Sequence, residues 1–148
     1  MPRRKRHAVN TDLIADPANA LQALIAKYRQ YPDLAELDMS DINQQTFPHE
    51  DALLHYVARY GGPDEVSLLV ACGANVNLPG DIGYTPLHYA AGRGKLDNVV
   101  RLLELGADTH IKDEFGATAM IITQVSTEIY PERKTIYVKI AKLLWKAG

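Results

Sequence analysis

Apolar residues in the middle of the chain recur at helical spacing in two adjacent runs. Residues 83–108 read GYTPLHYAAGRGKLDNVVRLLELGAD, in which a narrow face of small apolar residues precedes a broader face of leucines and valines. Thr85 and Pro86 suit the N-cap and the first turn of a helix. Gly106 suits the C-terminal cap of a second helix, from about Leu96 to Leu105. The pattern predicts a helical hairpin that bends at GRGK.

The sequence GRGK has an alternative interpretation as a phosphate-binding loop. Such a loop needs a glycine five residues before the Gly-Lys pair and a Ser or Thr after the lysine. Tyr89 and Leu96 occupy these two positions. We therefore interpret GRGK as the bend of the hairpin, with no nucleotide cofactor.

The hairpin pattern repeats along the chain with a period of about 33 residues. ALLH at 52–55 aligns with TPLH at 85–88, and GAN at 73–75 aligns with GAD at 106–108. A third copy starts with GATAM at 116–120, and the separation of Gly106 from Gly148 exceeds the period by nine positions. We expect an insertion in the third copy, near STEIYPERK at 126–134, between its two helices. Regular repeats of this length predict stacked supersecondary units.

The repeated motif resembles the ankyrin repeat, whose core reads G-x-T-P-L-H-x-A-A before a glycine bend, a second helix rich in Val and Leu, and G-A-D-V-N. Residues 79–111 keep nearly all of this motif, 46–78 lose the Thr-Pro start, and 112–148 lose the proline and the histidine. The resemblance implies three ankyrin repeats with about these boundaries. Their expected fold is an all-α ankyrin repeat solenoid of helix-turn-helix units with short β-hairpin-like finger loops.

Residues outside the three repeats carry weaker patterns. We predict a basic, disordered tail over 1–12 and a degenerate N-terminal capping repeat over 13–45. Asp16 and Pro17 suit the start of a helix that continues to about Tyr31.

The last helix of the chain is expected to close the stack. Lys139, Lys142 and Lys146 should line its outer side and keep this end soluble. Its inward stripe is Ile136, Ile140, Leu143, Leu144 and Ala147.

Charge and composition narrow the range of partners. The net charge of −2 conceals an acidic middle, because residues 33–114 hold five basic and fourteen acidic side chains, a net charge of −9. Such a field would repel nucleic acid and attract a basic protein surface. The alternative is that these acids simply form a solvated surface. The single cysteine, Cys72, excludes an internal disulfide. The sequence shows neither the hydrophobic segment of a signal peptide nor an apolar run long enough to span a membrane. We therefore expect a cytoplasmic protein that does not bind membranes.

The residues that could carry chemistry suggest a structural role instead. His55 and His88 lie one period apart at equivalent positions, so each should serve its own repeat by bonding the backbone of a neighbouring loop. The other three histidines show no metal spacing with Cys72. Acidic pairs such as Asp64 and Glu65 are adjacent and do not converge on one substrate. We therefore predict no catalytic residue, no metal site, no cofactor and no small-molecule substrate.

The family resemblance implies that a partner protein binds to the finger tips and to the exposed positions of the first helices, which line a concave face. The tip residues are Leu78, Pro79, Asp81, Ile82, Tyr84, Ile111, Lys112, Glu114 and Phe115; the helix residues are Tyr56, Arg59, Tyr60, Tyr89 and Arg93. Tyrosine and arginine are enriched in interface hot spots. The alternative is that the tyrosines pack between units. We favour the interface for Tyr84 and Tyr89 and leave both interpretations open for Tyr56 and Tyr60.

The expected function is non-catalytic binding of one protein partner, whose activity is inhibited because the bound chain covers it. The chain itself is expected to be monomeric when free. Stand-alone ankyrin proteins of this size resemble the immunity proteins that bacteria encode beside toxins, and an acidic face would suit a basic toxin. The alternative is a regulatory adaptor or scaffold, directed to a nucleus by the basic sequence Arg3 to Arg6.

Overall fold

The computed structural model describes residues 16–148, which form helices joined by short turns and loops. The tail predicted over 1–12 and the first residues of the predicted capping repeat lie outside this range. The helices are α1 Pro17–Tyr28, α2 Pro32–Ala35, α3 Leu53–Tyr60, α4 Pro63–Ala71, α5 Pro86–Gly92, α6 Leu96–Glu104, α7 Ala119–Ile129 and α8 Lys134–Ala147. No helix among the described residues has the length and apolar content needed to cross a membrane.

Three helical pairs stack into a solenoid with two parallel rows. The inner row is α3, α5 and α7, and the outer row is α4, α6 and α8, with each helix in contact with the next in its row. Ala58, Ala90 and Ala91 are fully buried in the inner row, where small side chains allow the helices to approach closely. The outer row buries Val, Leu and Ile side chains. This arrangement confirms the all-α solenoid that the repeat period predicts.

The loops before the inner helices form the fingers, and each is closed by one backbone hydrogen bond. The amide of Gly80 donates to the carbonyl of Tyr84 at 2.8 Å, and that of Asp113 donates to Ala117 at 2.9 Å. Among residues 16–148 there is no β-strand, so the fingers are turns rather than paired strands. Gly83 has φ +78, and a Cβ there would lie 3.1 Å from the amide nitrogen of Glu114 on the next finger. Neighbouring fingers therefore pack backbone against backbone.

The N-terminal end of the stack is covered by α1, which contacts both α3 and α4. The carboxylate of Asp16 caps α1 and accepts hydrogen bonds from the amides of residues 18 and 19 at 3.1 and 3.2 Å. The helix ends at Tyr28, three residues earlier than predicted. Tyr31 is extended, with φ −80 and ψ 123, because a residue before proline is disfavoured in the helical region. Pro32 then starts the short α2 instead of only ending α1.

The extra residues of the third helical pair lengthen its helices. Helices α7 and α8 have 11 and 14 residues, whereas α5 and α6 have 7 and 9. Residues 126–129 are the last residues of α7, and Lys134 is the first of α8. Only Tyr130 and the single turn Pro131–Arg133 separate them. The surplus that we expected between the helices is therefore mostly helical.

The C-terminal end of the stack agrees with the predicted closing helix in its lysines and differs from it in its apolar residues. Lys139, Lys142 and Lys146 are exposed as predicted, and Ile140 and Leu144 are buried. Ala147, assigned to the inward stripe, is exposed, whereas Tyr137 is buried and its hydroxyl donates to the carbonyl of Gly92 at 3.0 Å. Beside the exposed lysines, this end also exposes the apolar residues Ile121, Val125, Ile129, Val138 and Trp145.

Repeat spacing explains which face of α7 is left open. Ile121 and Val125 lie one period after His88 and Gly92, which both form hydrogen bonds with the third helical pair and its finger. The two exposed side chains therefore occupy positions through which one unit contacts the next, and no further unit lies against them within residues 16–148.

Candidate partner-binding surface

The two repeated histidines join successive units. In His55, Nδ1 accepts from the amide of Ala52 at 2.9 Å, and Nε2 donates to the carbonyl of Leu78 at 2.7 Å. In His88, Nδ1 accepts from the amide of Thr85 at 3.1 Å, and Nε2 donates to the carbonyl of Ala117 at 3.0 Å. Burial lowers the pKa of both rings. The histidines thus bond the next finger, as predicted, and are already used in the fold.

A buried carboxylate holds the first two fingers together. Asp51 accepts a hydrogen bond from the amide of Asp81 at 3.0 Å and another from the hydroxyl of Tyr89 at 2.8 Å. Asp113 plays a local role in the third finger and accepts from two of its amides. Burial and the charge of Asp51 raise the pKa of Tyr89, which keeps the hydroxyl protonated as a donor. Sequence reasoning missed Asp51, because no repeated acidic position marks it.

Aromatic rings and guanidinium groups form a continuous row along the inner helices. The rings of Tyr84 and Tyr89 meet edge to face with centroids 5.2 Å apart. The guanidinium of Arg59 lies 5.3 Å from the ring of Tyr89 and 5.1 Å from that of Tyr60. The Tyr60 ring also lies 5.8 Å from the guanidinium of Arg93 and stacks on Tyr31 at 5.2 Å. We call this row the tyrosine–arginine ladder: Tyr31, Tyr60, Arg59, Arg93, Tyr89 and Tyr84.

Each finger carries an exposed apolar side chain near its tip. Phe115 on the third finger is 79% exposed, and Ile82 on the second is also exposed. Phe47 on the first finger is 92% exposed. Single exposed apolar residues are ordinary, but a series on consecutive fingers is typical of an interaction surface.

Two sequence profiles match the chain. The profile described as "Ankyrin repeat" matches residues 49–81, and the profile described as "Ankyrin repeats (many copies)" matches residues 68–122. Together they cover 49–122, half of the chain, from the first finger into α7. The chain belongs to the ankyrin repeat family. No curated protein matches this ankyrin repeat protein. Ankyrin repeats are protein–protein interaction modules, and the family is typically non-catalytic.

The structure separates the predicted helix residues of the ankyrin surface into two groups. Tyr56 is only 8% exposed, and its hydroxyl donates to Asp33 at 2.9 Å. Its side chain packs α3 against α2. The structure therefore corrects the prediction that Tyr56 is exposed, and it agrees with the packing alternative. Tyr60 is 42% exposed and Arg93 is exposed, while Arg59 is partly buried. Tyr84 and Tyr89 are also partly buried and belong to the ladder.

The predicted tip residues lie on or beside the fingers. Pro79, Lys112 and Glu114 are exposed, and Leu78, Asp81 and Ile111 are partly buried. The leucine contributes its carbonyl to the bond with His55. Phe47 was missed in the sequence. The repeat period could have identified it, because Phe47 lies in the loop before α3, about one repeat before the first predicted tip residues.

Charge divides this surface into two edges. The finger edge carries the exposed acids Glu50 and Glu114 and the partly exposed Asp81. Arg59 and Arg93 lie at the other end of the inner helices, at the last residue but one of α3 and at the C-cap of α5. Within residues 16–148 no three His, Cys, Asp or Glu side chains cluster as a metal site would require.

Proposed function

We propose that this ankyrin repeat protein binds one protein partner with the tyrosine–arginine ladder and the finger tips, and that it acts without catalysis by covering the partner. The observation that carries the proposal is the ladder itself. Its rings and guanidinium groups are already held against one another in the free chain. Tyr and Arg dominate interface hot spots, and a surface ordered before binding loses less conformational entropy on association.

The fingers add apolar and acidic groups to the same surface. Phe47 and Phe115 project with little cover, and burying such rings against a partner would remove them from water. Glu50, Asp81 and Glu114 would favour basic side chains of the partner at this edge and would speed its approach. The inhibitor that we favour is an immunity protein that neutralises a basic toxin. The basic sequence Arg3 to Arg6 instead favours an adaptor or scaffold in a nucleus.

The test begins with a partner obtained by affinity capture or from a neighbouring gene. Tyr60→Ala combined with Phe115→Ala removes two exposed rings, and Lys139→Ala combined with Lys142→Ala removes two exposed lysines from α8 as a matched control. We expect the ring pair to weaken binding by at least about 2 kcal/mol, roughly 30-fold, and the lysine pair to change it little. Calorimetry showing the reverse would place the partner on another surface.

The inhibitory part of the proposal has a separate readout. The partner's own activity is measured with and without a saturating amount of the chain. Loss of that activity in the complex supports inhibition by occlusion. A tight complex that keeps full activity contradicts inhibition and supports the adaptor or scaffold.

A further inference from the structure

We propose that Arg59 and Arg93 form a site for a carboxylate, so that a partner binds with an Asp or Glu side chain seated on the ladder. This inference rests on the proposed function, because it names the chemistry of the partner at the same surface. Both guanidinium groups lie against the Tyr60 ring, at 5.1 and 5.8 Å from its centroid. The two positive charges therefore lie no more than about 11 Å apart around one ring, and an anion that contacts both would stabilise them.

Neither arginine has a counter-ion in the part of the chain that the structure describes. The ion pairs there involve Lys27, His49 and Arg101. The Nε atom of Arg59 is buried and has no hydrogen-bond partner among residues 16–148. Buried donors are normally paired, and an unpaired one has lost its water without replacement. A stacked guanidinium keeps its N–H groups at its edge, where a carboxylate can accept two of them.

Two carboxylates beside the inner helices accept hydrogen bonds from tyrosine hydroxyls. Asp51 accepts from the hydroxyl of Tyr89 at 2.8 Å, and Asp33 accepts from that of Tyr56 at 2.9 Å. Neither carboxylate forms an ion pair with Arg59 or Arg93 in the described structure. The positive charge of Arg59 and Arg93 is left for a group outside the chain.

The acidic segment that contains the two arginines favours a carboxylate over a phosphate group. Residues 33–114 carry a net charge of −9 within a chain whose total is −2, so this segment repels a group with two negative charges more strongly than a group with one. The acidic finger edge and the arginine pair lie at opposite ends of inner helices. Helix α3 has eight residues, which corresponds to about 12 Å. The partner should therefore present basic groups and an acidic side chain roughly that far apart.

A random peptide library displayed on phage and selected against the chain tests the inference. We expect the selected peptides to share an Asp or Glu. Synthetic copies should bind at least tenfold more weakly to Arg59→Met with Arg93→Met, in which the stems still pack on the rings. Arg59→Lys with Arg93→Lys should show a smaller loss, because lysine keeps the charge without the fork. Lys134→Met with Lys139→Met is the control, since it removes two exposed charges from α8. The Arg59 Nε–H resonance should shift on binding.

The outcomes separate this inference from the proposed function. Peptides that lose affinity on Tyr60→Ala but bind the arginine variants normally would overturn the carboxylate site and leave the proposed surface standing. Peptides indifferent to both changes would overturn the surface as well. A selection without acidic residues contradicts the inference, and so does binding at least tenfold tighter when phosphoserine replaces the acidic residue. Circular dichroism of each variant confirms that it remains folded.

Discussion

We predict that Asn98 contributes more to the free energy of unfolding than any other asparagine of the solenoid. It lies on α6, is 1% exposed, and donates through Nδ2 to the carbonyls of Ala58 at 3.0 Å and Gly61 at 3.1 Å. A longer contact of 3.4 Å reaches the carbonyl of Val57. The last carbonyls of a helix have no partner within it, so this side chain satisfies the end of α3 from the following unit. Asn98→Ala removes all of these contacts at once.

The expected loss follows from the bonds and from the groups left behind. Two good hydrogen bonds contribute about 1 kcal/mol each, and removing only the donor leaves buried carbonyls unpaired, which raises the loss to as much as about 2 kcal/mol for each bond. We therefore expect Asn98→Ala to lower the free energy of unfolding by about 2–4 kcal/mol. For a chain of this size that corresponds to a decrease in Tm of roughly 5–15 °C. Because the bonds join neighbouring units, the unfolding transition should also become less cooperative.

Urea unfolding followed by far-ultraviolet circular dichroism measures this loss. Asn77→Ala is the matched control, because Asn77 also bridges two units but does so in contact with solvent: Oδ1 accepts from the amide of Asp108 at 2.8 Å. Water can replace that bond, so its loss should be below about 1 kcal/mol. If the two variants lose equal stability, the buried bridge from Asn98 does not hold α3 and α6 together as the distances indicate.

Three further predictions concern other parts of the chain. Burial holds the pKa of His55 and His88 below the ordinary 6.5, so the unfolded chain binds more protons than the folded chain in mild acid, and stability should fall as the pH is lowered from about 7 to about 5. Changing both histidines to Gln should flatten the dependence of the urea midpoint on pH, and an unchanged dependence would contradict the assignment. Trp145, the single tryptophan, is 81% exposed, so acrylamide should quench the folded chain almost as well as the unfolded one; strong protection would show that this end is covered. Thr85→Ala with Pro86→Gly should lower the free energy of unfolding by about 1–3 kcal/mol, whereas Thr85→Ser with Pro86 intact should retain the hydrogen bond to the ring of His88. Unchanged denaturant midpoints for the double variant would show that these residues do not stabilise the start of α5.

The sequence by itself determined the repeating architecture, because each ankyrin unit contacts only its neighbours and spatial order follows sequence order. The repeat period therefore located the hairpin bends and the equivalence of His55 and His88. Their bonds to the next finger follow the same logic, since a side chain that recurs with the period meets the same backbone each time.

Tertiary structure decided which repeated positions are covered. Tyr56 and Tyr60 look alike in the sequence, but α2 brings Asp33 to the hydroxyl of Tyr56 and leaves Tyr60 exposed. That contact depends on an N-terminal unit too degenerate for the repeat to predict. The lack of an ion pair at Arg59 in the described structure is likewise a tertiary property, and Ile121 and Val125 on α7 are exposed because no further unit lies against them within residues 16–148. Burial and pairing are properties of the assembled stack, because they arise from chain segments that the period does not relate.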